Sequence, residues 1–239
     1  MPNLNTVQLI AVWALPVLFA ITVHEVSHGW VARWFGDPTA MMLGRLTLNP
    51  IKHIDPFGTI LVPLASLLFF GFVFGWAKPV PVTWENLRNP KRDMAIVALA
   101  GPLSNLAMAI IWALVIKIAF VLPASVSGIA YFLFYSAVAG IFVNGILMIL
   151  NLVPIPPLDG GRVLVGLLPG PLAWQISRIE PYGLIIIVLL LMTPIWGYIM
   201  WPPLSAIVVT SSHIDGIFGH AYLGVLQHLL LCCCRVAFL

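Results

Sequence analysis

Charged residues are scarce in this sequence. They make up 8% of its 239 residues, whereas 61% are hydrophobic, and the mean hydropathy is +1.05. Soluble domains carry roughly 25% charged residues, so the composition excludes an ordinary soluble protein. It is typical of a membrane protein, and we expect the lipid bilayer to be its surroundings.

Two further shortages exclude other classes of protein. The net charge is only +3 and no block of like charges is present, so the basic face of a nucleic-acid-binding domain is missing. The three cysteines are consecutive, from Cys232 to Cys234, and adjacent cysteines cannot join distant segments. We therefore expect no nucleic-acid partner and no disulfide framework.

The first apolar stretch, Val7 to Ala32, lacks the marks of a cleavable signal peptide. It has no basic n-region and no small-residue cleavage site, and it contains a His-Glu pair. This pattern predicts a retained transmembrane helix.

About 20 apolar residues are needed to cross the hydrocarbon core of a bilayer, and several stretches reach that length. Two of them, Gly58 to Trp76 and Leu204 to the end, are interrupted and therefore ambiguous. The four clear stretches are Val7 to Trp34, Met94 to Leu122, Ile129 to Leu152 and Tyr182 to Trp201. We predict an all-α polytopic membrane protein with about five to six transmembrane helices. Residues 1–200 would form the membrane core, followed by a hydrophobic segment, 201–239, whose role the pattern does not define.

The element after the first helix is expected to be irregular. Basic residues flank both ends of Gly58 to Trp76, so a full crossing would place one positive loop outside, against the positive-inside tendency. A re-entrant hairpin would keep both loops cytoplasmic, although the length also permits a full span. From Met41 to Phe57, apolar and polar residues alternate as in short strands. We expect a small strand-like element there, which could pair with another extended segment.

The scarcity of acidic residues makes Glu25 conspicuous. It lies inside the first predicted span, where an unpaired charge costs several kcal/mol, and His24 and His28 flank it. These residues form an H-E-x-x-H motif, whose i, i+4 spacing places both imidazoles on one helix face, about 6 Å apart at Cβ. That spacing suits two zinc ligands. Glu25 lies about 100° round the helix, where it would be beside a metal-bound water. In a soluble helix the same motif can be a solvated face, but an apolar span offers no water.

A catalytic zinc has three protein ligands and one open position, so a third ligand is required. Asp159 is the candidate, since it follows a proline-rich break at the end of the third clear span and precedes Gly160 and Gly161. The alternative is a surface carboxylate paired with Arg162.

Five motifs in the same order resemble the site-2 protease family of intramembrane metalloproteases, in its short form without a PDZ domain. The motifs read HEVSHGW, NPIKHIDPFGT, GWAKPVPV, AGPLSNL and NLVPIPPLDGGR, and the resemblance covers roughly residues 8 to 200. The resemblance implies Zn²⁺ on His24, His28 and Asp159, with Glu25 as general base. It also implies cleavage of transmembrane protein substrates near the cytoplasmic face. The compact form favours a prokaryotic cell membrane.

Other polar residues have weaker or alternative interpretations. Asn151 resembles the family's active-site asparagine and is a candidate for substrate binding, or it is a polar cap of its helix. Asn105 is expected to form a helix–helix hydrogen bond. His53 is expected at the surface, and Lys78 as an interface anchor. His213, His220, His228 and the cysteine run follow no zinc template.

Two other functions are compatible with histidines in a span. A zinc transporter would need ligands spread over several helices to form a path, whereas here they concentrate in one motif and one aspartate. A catalytically silent scaffold would not need these residues together. The pattern therefore favours an enzyme, and it does not define the substrate, the regulation or the oligomeric state.

Overall fold

The computed structural model describes residues 4–70, 75–215 and 224. These residues form mainly helices and no strand. Their α-helices are α1 (Thr6–Trp34), α2 (Thr39–Met42), α3 (Val62–Phe70), α4 (Pro90–Val121), α5 (Ser127–Leu152), α6 (Asp159–Leu167), α7 (Gly170–Ser177), α8 (Glu180–Leu191) and α9 (Pro194–Asp215). Shorter helical turns lie at Pro50–His53, Pro56–Leu61, Trp84–Asn86 and Ala124–Val126, and the second of these is a π-helix.

Three helices of the described chain are long and apolar enough to cross a membrane. They are α1, α4 and the stretch Ala124–Leu152 that contains α5, and a fourth span is reached if α7 and α8, bent by 65°, count as one. The outward faces of α1 and α4 expose large apolar side chains such as Ile10, Ile111 and Phe120, as lipid contact requires. An all-α membrane protein is therefore confirmed, but five to six spans are not.

The prediction of a single helix from Tyr182 to Trp201 is wrong. The chain breaks between Leu191, where α8 ends, and Pro194, where α9 begins. Proline has no backbone N–H to donate to a carbonyl of the preceding turn, so it starts a helix more readily than it continues one.

The prediction of strands between Met41 and Phe57 is also wrong. The Asn49 side chain accepts from the Ile51 N–H at 3.1 Å, and the Asp55 carboxylate accepts from the Phe57 N–H at 2.9 Å. Each acceptor is followed by a proline, at Pro50 and Pro56. A capping side chain before a proline begins a helical turn, and here it overrides the apolar–polar alternation.

The two ends of the segment Gly58 to Trp76 meet. The Trp76 N–H donates to the Gly58 carbonyl at 2.9 Å, and Thr59 Oγ1 donates to the Trp76 carbonyl at 3.0 Å. A segment whose ends are hydrogen-bonded to each other enters and leaves at the same level. This arrangement supports the re-entrant alternative, and we call residues 58–76 the hairpin; residues 71–74 lie outside the described part.

Helix α4 is central, because it packs against α1, α5, α6 and α9. The apolar core between α1, α4 and α5 includes Val12, Ile116 and Ile141, each at most 1% exposed. Two asparagines, Asn105 on α4 and Asn144 on α5, are completely buried beside it. Buried amides among apolar helices must find partners within the protein, and these lead to the site described below.

Helix α9 packs on α5 through Met200 and Leu204, which surround Ile149. The proposed boundary at residue 200 falls inside α9, and the division into two units stays a prediction. His220, His228 and the cysteine run lie outside the described residues.

Candidate metal centre

The two histidines of the H-E-x-x-H motif meet on one face of α1. His24 Nε2 and His28 Nε2 are 3.1 Å apart, and both rings are largely buried, with 9% and 11% of the side chains exposed. The predicted i, i+4 arrangement is therefore present.

Asp159 is the first residue of α6 and reaches this pair because the chain turns sharply after α5. A Cβ at Gly160 would lie 2.3 Å from the Leu152 carbonyl oxygen, and one at Gly161 would lie 2.3 Å from the Pro156 nitrogen. Only glycines allow α6 to start so close to the end of α5. The two glycines after Asp159 therefore let its carboxylate face α1.

The three candidate ligand atoms form a nearly equilateral triangle. Asp159 Oδ2 lies 3.1 Å from His24 Nε2 and 3.3 Å from His28 Nε2. Tetrahedral zinc with ligand distances of roughly 2.0–2.1 Å places neighbouring ligand atoms about 3.3 Å apart. The triangle has the size of one face of such a tetrahedron, and the fourth position would remain open.

Hydrogen bonds on the other side of each ring indicate which nitrogen holds the proton. His28 Nδ1 lies 2.7 Å from the Val97 carbonyl oxygen, which can only accept, so Nδ1 donates. His24 Nδ1 lies 2.6 Å from Asn105 Oδ1, also an acceptor. In the neutral form of each ring, Nε2 therefore carries the lone pair on the side of Asp159.

With both imidazoles neutral, three lone-pair atoms converge with no donor between them. Asp159 Oδ2 is buried and has no hydrogen-bond partner among the described residues. A shared proton would satisfy one of the three contacts at most, whereas a divalent cation satisfies all of them. The donor set of two imidazoles and a carboxylate, with its bonded outer partners, fits zinc.

Helix α4 holds both imidazoles along a single stripe. Val97, Gly101 and Asn105 follow each other at intervals of four residues, and the outer two bind the rings as described. A Cβ on Gly101 would lie 2.4 Å from His28 Nε2 and 2.6 Å from His24 Nε2. The stripe therefore supplies two hydrogen-bond acceptors and, between them, the space that the rings occupy.

Glu25 lies outside the triangle and is held by a different segment. Its Oε2 accepts a hydrogen bond from the Val80 N–H at 2.8 Å. Val80 belongs to residues 75–83, which run without regular structure from the hairpin past α1; we call them the strap. In the strap the Lys78 N–H also donates to the His53 carbonyl at 2.9 Å. The strap therefore connects the hairpin to Glu25.

Asp37 anchors the far end of the strap, just beyond α1. Its carboxylate accepts from the Thr39 hydroxyl, from Asn86 Nδ2 at 2.9 Å and from the Thr83 N–H at 2.7 Å. Burial raises the pKa of Asp37, but the hydrogen bonds from Thr39, Asn86 and Thr83 outweigh it and hold this pKa below its ordinary value. An ionised Asp37 thus fixes the strap relative to the end of α1.

Comparison with known proteins is consistent with this geometry. Residues 12–132 match the model of Peptidase family M50. YwhC of Bacillus subtilis (strain 168), whose name describes a candidate zinc metalloprotease, is 41% identical over 197 residues, or 80% of this chain and 85% of YwhC.

The chain belongs to peptidase family M50.

Two further relatives of this M50 peptidase, both named Rip2, carry the same description. The Mycolicibacterium smegmatis protein (strain ATCC 700084 / mc(2)155) is 33% identical over 79% of this chain and 68% of its own length. The Mycobacterium tuberculosis protein (strain ATCC 25618 / H37Rv) is 27% identical over 82% of this chain and 72% of its own. No solved structure gives a significant match. The expected family and its class, a membrane zinc metalloprotease, are thereby confirmed.

Several weaker predictions for the M50 peptidase can be compared with the structure. Asp159 does not pair with Arg162, whose guanidinium lies 5.1 Å above the Trp84 ring. His53 is 2% exposed, so its prediction as a surface residue is wrong; its Nε2 donates to the Thr47 carbonyl, which buries it beneath the turn. Asn151 donates to the Leu147 carbonyl of its own helix, and its role towards substrate stays a prediction.

Sequence reasoning missed the groups that orient the M50 peptidase's histidines and glutamate. The expected helix–helix hydrogen bond of Asn105 exists, but its bond to His24 was not foreseen, although an amide inside an apolar span was a usable signal. Val97 acts through its backbone carbonyl and Val80 through its backbone N–H. Every residue type except proline has both groups, so the sequence does not show such a role.

Proposed function

We propose that this M50 peptidase is an intramembrane protease that hydrolyses peptide bonds within or near transmembrane helices of membrane-protein substrates. Zinc would be held by His24, His28 and Asp159, and Glu25 would be the general base. The observation that carries the proposal is the triangle that His24 Nε2 and His28 Nε2 of the apolar helix α1 form with Asp159 Oδ2 of α6.

Zinc bound there supplies Lewis acidity that brings the ionisation of water near neutral pH and polarises the scissile carbonyl. Glu25 accepts the water proton and passes it to the leaving amine. The Val80 N–H occupies Glu25 Oε2, which leaves Oε1 for this proton. A carboxylate held in one position is suited to carry the proton from the water to the leaving amine in every reaction cycle.

The substrate helix must unwind locally, because a helical carbonyl is occupied in the i to i−4 hydrogen-bond ladder. Residues 41–57 contain no strand with which the unwound substrate could pair. Asn151, at the end of α5 and close in sequence to Asp159, remains our candidate for a substrate hydrogen bond.

We also propose that the protein lies in a prokaryotic cell membrane with its active site towards the cytoplasm. Support comes from the basic residues on both sides of the hairpin, which include Arg45 and Lys78. Arg45 Nη2 donates to the Lys78 carbonyl at 2.9 Å, so these two loops lie on the same side of the molecule.

A zinc transporter is the alternative from another class. Transport requires ligand groups at successive depths, but the described residues contain a single group of three metal-ligating side chains. That arrangement favours one catalytic site over a conduit.

The test combines zinc content of detergent-purified protein with cleavage of a model transmembrane substrate. We expect stoichiometric zinc in the wild type, retained zinc without cleavage in Glu25→Gln, and strongly reduced zinc in Asp159→Asn. Glu85→Gln is the matched control, because Glu85 is exposed and distant in sequence from the motif. A wild type without zinc, or cleavage by Glu25→Gln, would reject the proposal.

A further inference from the structure

Two buried asparagines connect the metal centre to α5. Asn105 and Asn144 are each 0% exposed, and Asn105 Nδ2 donates to Asn144 Oδ1 at 2.9 Å. Asn144 Nδ2 in turn donates to the Gly140 carbonyl at 2.8 Å. With the bond from His24 Nδ1 to Asn105 Oδ1 at 2.6 Å, a continuous relay runs from a backbone carbonyl of α5 to a candidate zinc ligand.

The direction of every bond in this relay is fixed by groups that cannot reverse. Asn105 Nδ2 also donates to the Ala20 carbonyl at 3.2 Å, and carbonyl oxygens only accept. If the amide of Asn105 turned over, its oxygen would face two acceptors, Ala20 O and Asn144 Oδ1. Its nitrogen would then face His24 Nδ1, which would have to give up its proton. The proton would move to Nε2 and block the metal-facing lone pair.

The two histidines differ in how they are oriented. His28 donates to the backbone carbonyl of Val97, which side-chain substitution does not remove. Among the described residues, His24 Nδ1 has the Asn105 side chain as its one partner. The tautomer of one candidate ligand is therefore set by a replaceable residue on a neighbouring helix.

We propose that Asn105 is a positioning residue for zinc, and that Asn144 holds its amide in the required orientation. This inference rests on the proposed metal centre. An acceptor on the far nitrogen of a ligating histidine fixes the ring and raises its basicity, and loss of such a partner costs about 10–100-fold in metal affinity. Helix packing alone would not require the oxygen of Asn105 to face His24.

The experiment measures zinc affinity of the purified full chain in detergent, by competition with a chromogenic chelator. Asn105→Leu removes the acceptor, and we expect zinc binding about 10–100-fold weaker. Asn105→Asp keeps an oxygen towards His24 but loses both N–H bonds to α1 and α5, and we expect affinity within a few-fold of the wild type. Ser104→Ala is the matched control, since among the described residues the Ser104 hydroxyl donates only to the Gly101 carbonyl of its own helix; we expect no change.

The comparison of the two Asn105 variants separates positioning from packing. If Asn105 only joins helices, Asn105→Asp will weaken zinc binding as much as Asn105→Leu, or neither will weaken it, and either result overturns the inference. If Asn105→Leu yields no folded protein, Asn144→Leu decides, because it leaves the Asn105 oxygen in place but removes Asn144 Oδ1, one of the two acceptors that keep the amide from turning over. We expect it to weaken zinc binding several-fold, and unchanged affinity would overturn the inference.

Failure of the metal centre itself would be recognised separately. A wild type that binds no zinc, or His24→Ala that retains wild-type affinity, would refute the proposed ligands. Zinc bound through His24 with no effect of Asn105→Leu would refute the relay alone.

Discussion

Gly101 is the position where the smallest change should have the largest effect on the metal centre. Its missing side chain leaves the space taken by both imidazoles, and an added Cβ would lie 2.4 Å from His28 Nε2. Carbon and nitrogen atoms pack at about 3.5 Å, so Gly101→Ala requires a displacement of about 1 Å. The rings cannot yield easily, because their Nδ1 atoms are bonded to Val97 and Asn105 on the same helix.

The size of the effect of Gly101→Ala follows from how little the ligand positions can change before zinc binding is lost. Metal–ligand distances are held within about 0.2 Å, and a misplacement of about 1 Å near a reacting centre costs about 100-fold in rate. Overpacking a tight core costs about 1–3 kcal/mol of stability. We therefore expect Gly101→Ala to fold with a lowered Tm, to lose most of its zinc, and to cleave substrate at least 100-fold more slowly.

The assay is zinc content by elemental analysis, alongside the Tm and the rate of cleavage of a model substrate. Gly128→Ala is the control, because Gly128 also lies in a helix and nothing is within 4 Å of its added Cβ. We expect it to keep its zinc and its rate. Full zinc occupancy and a wild-type rate in Gly101→Ala would refute the packing of α4 against the imidazoles.

Three further predictions concern the strap and its surroundings. Val80→Pro removes the N–H that holds Glu25, so we expect kcat to fall about 10-fold with unchanged zinc content, whereas Val82→Pro, whose N–H forms no hydrogen bond in the described part, should have a smaller effect; equal losses would refute the contact. Asp37 has a pKa below its ordinary value, so its contribution to stability is complete above the unfolded pKa of about 3.9 and is lost as the pH falls through the folded pKa. We therefore expect the Tm of the wild type to fall more steeply than that of Asp37→Asn on acidification below about pH 4, and parallel curves would contradict this. Arg162→Gln should keep its zinc and lose only about 0.5–1 kcal/mol of stability, from the cation–π contact with Trp84; loss of zinc, measured by elemental analysis, would show that Asp159 depends on Arg162.

The residues that could be predicted from the sequence were those whose type and spacing indicate metal binding. His24 and His28 are one helical turn apart in an apolar stretch, and Asp159 follows a helix break. Their convergence within 3.3 Å could be expected because each is costly at membrane depth without a partner. The same reasoning reached Asn105 only as a helix–helix contact, since an amide has several partners and the pattern does not choose among them.

The failures share a cause in local backbone chemistry. Alternation from Met41 to Phe57 suggested strands, but Asn49 and Asp55 cap helical turns that begin at prolines. Hydropathy from Tyr182 to Trp201 is continuous, yet Pro194 starts a new helix. The contact between Val80 and Glu25 could not be predicted, because Val80 contributes a backbone N–H. Its position depends on the path of the strap and not on the side chain.

The strap also links Glu25, the proposed general base, to the hairpin. Alternate backbone N–H groups along its edge are tied in turn to Gly58, to His53 and to Glu25, and Pro79 and Pro81 stiffen the run between them. A segment held at three successive points has little freedom to move. A shift of the hairpin relative to α1 would therefore either move the Glu25 carboxylate or break one of these hydrogen bonds. In the re-entrant arrangement, the depth of the hairpin in the bilayer and the orientation of Glu25 would be coupled, so bilayer thickness is a variable to control when the rate of this peptidase is measured.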